Sequence, residues 1–173
     1  MININVYENS ENKNDFELDK ILIDEIIKSN DTIVGKVVLV DGGRLPEGKI
    51  EGDACLDCYA RLENPVKIKI GMRQLIPLGF KIQLPELTEA VIRPRSGLTS
   101  KSIDVAIGTI DSNYRGEVMA CIINNSKEHI EINNGDRICQ LAIRRYSPVI
   151  FNVVDKLDDS NRGENGFGST GVK

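Results

Sequence analysis

Apolar and polar positions along this chain change over short distances, and the period of the pattern shifts once. Near the N-terminus Leu18, Ile21, Leu22, Glu25 and Ile26 recur at i, i+3, i+4, i+7 and i+8, and four of these five positions are apolar. That is the spacing of one helical face, and Asn14 or Asp15 can cap its start, so a helix is predicted over residues 16–28. Residues 32–40 are continuous and β-branched up to the turn signal Asp41-Gly42-Gly43, which reads as a buried strand. Thereafter the apolar runs are short and rich in Val and Ile: 66–70, 75–82, 89–92, 102–107, 118–123, 129–132, 138–143 and 149–154. Pro, Gly and Asn separate them, no helical period returns, and no repeat at solenoid spacing is present. Many short strands with turn signals between them predict an all-β fold, an antiparallel sandwich or jelly roll. Pro46, Pro65, Pro77, Pro85, Pro94 and Pro148 then belong at strand starts, edges or turns.

The pattern divides the chain into an acidic N-terminal extension with one helix (1–31), an all-β domain (32–154) and a Gly-rich C-terminal segment (155–173). The last is too polar to build core and is expected to be mobile until something orders it. With 173 residues, 40% of them hydrophobic and 28% charged, the chain can bury a core without disulfides or metals. No apolar run approaches the ~20 residues that cross a bilayer. Residues 1–14 are polar and carry no secretory leader, and the four cysteines suit a reducing compartment, so a cytoplasmic location and no membrane partner are expected.

Charge narrows the range of ligands. The net charge is −4. Residues 1–31 hold eight acids against three lysines, a balance of −5, which leaves +1 for the rest. A near-neutral body can place a few arginines around a small anion but lacks the broad basic face of a duplex binder, so no nucleic-acid partner is expected.

Four segments carry candidate chemistry, and each taken alone also reads as an ordinary solvated turn or tail. Arg93-Pro94-Arg95-Ser96-Gly97 offers amides, a hydroxyl and a guanidinium suited to phosphate oxygens. Within Gly108-Thr109-Ile110-Asp111-Ser112-Asn113-Tyr114-Arg115-Gly116-Glu117, Asp111 projects from a hairpin or loop, where a carboxylate can serve as general base towards water. In Gly135-Asp136-Arg137-Ile138-Cys139-Gln140-Leu141 the unusual residue is Gln140, polar within a strand. Finally, Arg162-Gly163-Glu164-Asn165-Gly166-Phe167-Gly168-Ser169-Thr170-Gly171 combines glycines and hydroxyls with one arginine and one ring.

In this order the segments resemble the sequence motifs of the trimeric deoxyuridine triphosphatases (dUTPases), over roughly residues 44–171. The resemblance implies a jelly-roll or distorted β-barrel subunit and a homotrimer with shared active sites. It implies hydrolysis of dUTP to dUMP and pyrophosphate with Mg²⁺, keeping uracil out of DNA and supplying dUMP. By the same resemblance Arg95 and Ser96 contact phosphates, with Gly97 in the turn. Asp111 orients and activates the attacking water, and Tyr114 packs on the deoxyribose and excludes a 2′-hydroxyl. The hairpin from Val105 through Gly108, Thr109 and Ile110 reads uracil through backbone groups. Gln140 reaches phosphate oxygens, Arg162 the γ-phosphate, Phe167 covers the base, and Gly168, Ser169 and Thr170 complete the phosphate-binding tail. Asp57 corresponds to an outer-shell partner of the magnesium's waters.

Two departures stand out. Asn165-Gly166 replaces a pair of glycines, and Ala54-Cys55-Leu56-Asp57-Cys58-Tyr59-Ala60 replaces the usual Ala-Gly-x-Asp-Leu-x-Ala. Cys55 and Cys58 also spell CxxC, but positions three apart on a strand face opposite sides, and His129 is the only histidine; the cysteines read as structural. His129 itself reads as a surface residue. Two other functions remain open: a dCTP deaminase of the same fold, which needs a glutamate where this chain has Cys121, and a catalytically silent dUTP-binding regulatory module.

Overall fold

A computed structural model describes residues 32–50 and 52–164. The helix predicted over residues 16–28 and the tail residues Phe167, Gly168, Ser169 and Thr170 lie outside the described residues. Within them the fold is all-β with one short helix: β1 (Lys36–Leu39), β2 (Leu56–Tyr59), β3 (Val66–Ile68), β4 (Arg73–Pro77), β5 (Phe80–Gln83), β6 (Thr88–Arg93), α1 (Ser96–Thr99), β7 (Ile103–Val105), β8 (Gly108–Asp111), β9 (Met119–Asn124), β10 (Ile130–Ile132) and β11 (Arg137–Arg145).

All pairings among these strands are antiparallel. They form a four-stranded sheet in the order β2-β11-β6-β8, a three-stranded sheet β4-β9-β7, and the two-stranded pairs β1-β5 and β3-β10. The inward positions of these sheets share one core, in which Ile76, Leu78, Phe80, Ile92, Val118, Ile122, Ile138 and Leu141 are fully buried. The alternation is legible in β5 and β9, where inward Phe80, Ile82, Ala120 and Ile122 alternate with more exposed neighbours.

The single strand expected over residues 75–82 is two strands in different sheets. The break falls at Leu78-Gly79, where Gly79 has φ +77°. Its carbonyl accepts from the Val40 N–H at 2.9 Å, and Gly43 packs so closely that a Cβ there would lie 1.9 Å from the Gly79 oxygen. The chain therefore turns from pairing with β9 to pairing with β1.

Two further expectations are corrected. The run 32–40 was expected to be a buried strand; only β1 forms there, and its Val37, Val38 and Leu39 are exposed. β1 pairs with β5 alone, and a β-branched run reports strand preference rather than burial. Residues 149–154 were expected to be a strand but form none, with Ile150, Phe151 and Val153 almost wholly exposed. A strand needs a ladder partner, and the run hydrogen-bonds to no sheet edge among the described residues.

Candidate active site

One end of the four-stranded sheet gathers sequence-distant side chains on a single carboxylate. Asp57 of β2 lies directly opposite Gln140 of β11, and Gln140 lies opposite Arg93 of β6. Asp57 is 6% exposed. Arg95 Nε donates to its Oδ1 at 3.0 Å, Arg137 Nη1 to its Oδ2 at 3.0 Å, and Gln140 Nε2 to Oδ1 at 3.4 Å. Arg95 Nη1 also donates to the Arg137 carbonyl at 2.9 Å. A carboxylate this buried is tolerable only when paired and hydrogen-bonded, and each guanidinium does both. Two cations against one anion leave positive charge at this end, with guanidinium donors beyond those that Asp57 engages. The Asp57 backbone is fastened in turn: its N–H donates to the Glu47 carbonyl at 2.9 Å, and the Glu47 N–H donates to the Asp57 carbonyl at 3.2 Å. Ser96 and Gly97 open α1 beside Arg95, both exposed, with no atom within 4 Å of where a Gly97 Cβ would sit.

The other edge of β6 carries β8, with Gly108 opposite Ile92 and Asp111 opposite Glu89. Beyond Asp111 the loop closes on itself. The Tyr114 N–H donates to the Asp111 carbonyl at 3.0 Å, and Arg115 Nη1 donates to the Ser112 and Tyr114 carbonyls, each at 2.7 Å. The Tyr114 hydroxyl donates to the Glu117 carbonyl at 3.1 Å. Gly108, Thr109, Ile110, Asp111 and Tyr114 line one open cavity of about 250 Å³, with Glu117, Val118 and Met119 on its far wall. Asp111 and Tyr114 are exposed, so a carboxylate and a ring face the same space. Val105 is buried in β7 and does not line this cavity.

The two groups do not meet within one chain. Asp111 and Gln140 flank β6 on opposite sides, four residues apart in register. At ~3.3 Å per residue and ~4.8 Å between strands, their Cα atoms are roughly 16 Å apart. Arg162 lies exposed in the segment after β11. Residues that motif reading missed are Arg137, which shares Asp57 with Arg95, and Glu117, whose carboxylate binds Arg61 through Nε at 2.9 Å and Nη2 at 3.1 Å. Both stood inside the quoted segments; their roles depend on partners more than fifty residues away.

The departures in the first motif are accommodated. Cys55 is not among the residues with positive φ, so the position does not demand glycine. Cys58 pairs across the ladder with Cys139, both 0% exposed, while Cys55 is part-exposed. Contact with Cys139 and burial push the Cys58 thiol up, which keeps it protonated and unreactive. His129 is exposed, and its Nδ1 accepts from the Ile70 N–H at 3.3 Å.

No group of three His, Cys, Asp or Glu side chains able to hold a metal occurs among the described residues. Asp57 carries three donors on its two oxygens, so direct coordination does not fit it. One acceptor direction remains on Oδ2, which fits a metal-bound water. No helix among the described residues is long and apolar enough to cross a membrane.

Residues 42–171 match the sequence model of the dUTPase family. A deoxyuridine 5'-triphosphate nucleotidohydrolase of Rickettsia bellii is 47% identical over 133 residues, 75% of this chain and 89% of the relative. One from Finegoldia magna is 40% identical over 139 residues, 79% of this chain and 97% of the relative. Among solved structures, a substituted dUTPase of Staphylococcus bacteriophage 80alpha with dUpNHpp superposes with a TM-score of 0.70 at 25% identity, covering 82% of this chain and 99% of that one. A dUTPase from phage phi11 of S. aureus, described with a coordinated structural Mg(II) ion, has the same fold at a TM-score of 0.66 and 21% identity, covering 73% of this chain and 99% of that one. Sequence, motif order and fold agree: this chain belongs to the dUTPase family.

Proposed function

We propose that this chain hydrolyses dUTP to dUMP and pyrophosphate. The observation that carries the reading is the Asp57 centre, where Arg95 and Gln140, two of the motif residues expected at phosphates, converge on one carboxylate from separate strands. The names of the relatives agree with it.

Phosphoryl transfer asks the protein mainly for positioning and charge neutralisation. Arg95, Ser96 and Gln140 take the triphosphate, and Asp57 and Arg137 hold Arg95 in place. Asp111, exposed beside the cavity, holds and deprotonates the attacking water. The backbone of Gly108, Thr109 and Ile110 reads the base. A strand that offers an N–H to O4 and a carbonyl to N3–H leaves cytosine with unpaired polar groups. Tyr114 covers the sugar; Arg162, Phe167, Gly168, Ser169 and Thr170 close over base and phosphates. Asp57 Oδ2 would hold Mg²⁺ through a metal-bound water, and the ion would supply further neutralisation of phosphate charge.

The ~16 Å between Asp111 and Gln140 supports a homotrimer in which one site takes the Asp111 cavity from one subunit and the Asp57 centre from another. Exposed Ile150, Phe151, Val153 and Leu157 supply apolar surface for such contacts. The deciding experiment is pyrophosphate release with dUTP, dCTP and dTTP in parallel. Release from dUTP alone supports the reading. Deamination of dCTP would replace it with the deaminase, and binding without turnover with a regulatory module.

A further inference from the structure

The loop that carries Tyr114 is fastened by a residue with no assigned role. Glu117 lines the cavity, and its carboxylate is engaged by Arg61 and Gly79, which do not line it. Its Oε1 and Oε2 accept from Arg61 Nε and Nη2 at 2.9 and 3.1 Å, and Oε1 also accepts from the Gly79 N–H at 3.0 Å. Both side chains are more than two-thirds buried, and the carboxylate raises the Arg61 guanidinium above its ordinary value. The adjoining backbone is bonded to the same kink: Val118 N–H donates to the Phe80 carbonyl at 2.9 Å, and Leu78 N–H to the Val118 carbonyl at 3.0 Å. Glu117 is thereby held at the break between β4 and β5, where Gly43 packs against Gly79.

What this anchor presents to the cavity is the Glu117 carbonyl, the acceptor for the Tyr114 hydroxyl. The ring reaches it by lying over Gly116, where a Cβ would sit 2.2 Å from the tyrosine oxygen. Ring position therefore depends on two things: empty space at Gly116, and a carbonyl whose place is set by the Arg61–Glu117 pair.

We infer that Glu117, clamped by Arg61 and the Gly79 N–H, is a positioning residue that sets the Tyr114 ring and through it the preference for dUTP over UTP. The inference rests on the reading of Tyr114 as the sugar-facing ring. A ring free to tilt leaves space for a 2′-hydroxyl; a fixed one does not. The effect is read as the ratio of the two substrates, because only UTP brings a 2′-hydroxyl to the ring.

The test measures kcat and KM for dUTP and UTP in the full-length chain, with thermal melts alongside. Tyr114→Ala lowers the dUTP/UTP ratio of kcat/KM by tenfold or more. Glu117→Ala and Tyr114→Phe each lower it about threefold to tenfold, the range of one hydrogen bond. Glu117→Gln, which still accepts from Gly79 and one Arg61 N–H, recovers most of the ratio. The double variant Glu117→Ala/Tyr114→Phe is no worse than either single change, because both cut one link. If Tyr114→Ala leaves the ratio unchanged, the sugar-facing role fails and this inference with it. If Tyr114→Ala relaxes the ratio but Glu117→Ala does not, the anchor alone is overturned, whatever the melts show. Should Glu117→Ala not fold, an unchanged ratio in Tyr114→Phe overturns it equally.

Discussion

The two sides of β6 solve different problems with different means. On the β11 side charge is locked before any ligand arrives: one buried carboxylate, two guanidiniums and an amide, all from regular strands or the turn beside them. On the β8 side the candidate groups are exposed, and order comes from side chains of the loop donating to its own carbonyls and from Glu117. On the proposed reading the contrast follows from the chemistry each side meets. A polyanion is recognised by fixed positive charge, whose self-repulsion must be relieved within the protein. A neutral base and sugar are recognised by backbone polarity and shape.

The sharpest way to break this comparison is at the exposed carboxylate. Asp111→Asn should leave the melt and dUTP binding largely unchanged and cut kcat about 10²–10⁴-fold, as loss of a general base does; kcat within twofold of the parent chain would remove Asp111 from the chemistry. The locked side should respond in the opposite sense. Asp57→Ala leaves two guanidiniums facing each other without their counter-ion. It should lower stability towards the lower end of about 3–5 kcal/mol, since Arg137 is nearly half exposed. Denaturant unfolding with a cost under ~1 kcal/mol would show that the centre is not a structural lock.

The separation itself can be probed by complementation. Asp111→Asn and Arg95→Gln chains, each inactive alone, should regain activity when unfolded and refolded together, with about one site in four intact by random assortment in a cyclic trimer. Light scattering should give three times 19.2 kDa. Active monomers, or no recovery from mixed chains, would show that one subunit holds a whole site. The smallest effect is expected at Glu47, which tethers Asp57 by backbone. Its carboxylate is held below the ordinary 4.5 by the Tyr59 hydroxyl at 2.6 Å and by Lys49. Because the folded value is the lower one, its contribution is present above pH ~4.5 and is lost as pH falls through the folded value. Glu47→Gln should therefore flatten the acid limb of a melt-versus-pH curve slightly; an identical limb would assign that stability elsewhere.

Much of the fold was legible in the chain because alternation and turn signals are local. The short Val- and Ile-rich runs became strands, the all-β class followed, and Pro77 closes β4 as a strand-edge proline should. Local reading failed where the answer lay in a partner. Residues 149–154 have strand composition and no strand to pair with among the described residues; residues 75–82 read as one strand, but Gly79 turns left-handed where Gly43, thirty-six positions earlier, packs against it.

The site divides along the same line. Sequence alone named the candidates Arg95, Ser96, Asp111, Tyr114, Gln140 and Arg162 and their order, because motif chemistry is carried by a few adjacent residues. Only the tertiary structure decided that Arg137 shares Asp57 with Arg95, that Cys58 faces Cys139 rather than Cys55, and that Arg61 anchors the Tyr114 loop through Glu117. Each of these is a pairwise contact between distant segments, made by strand register. Register depends on how whole sheets bury their apolar faces, a sum over the core that no short stretch of residues contains.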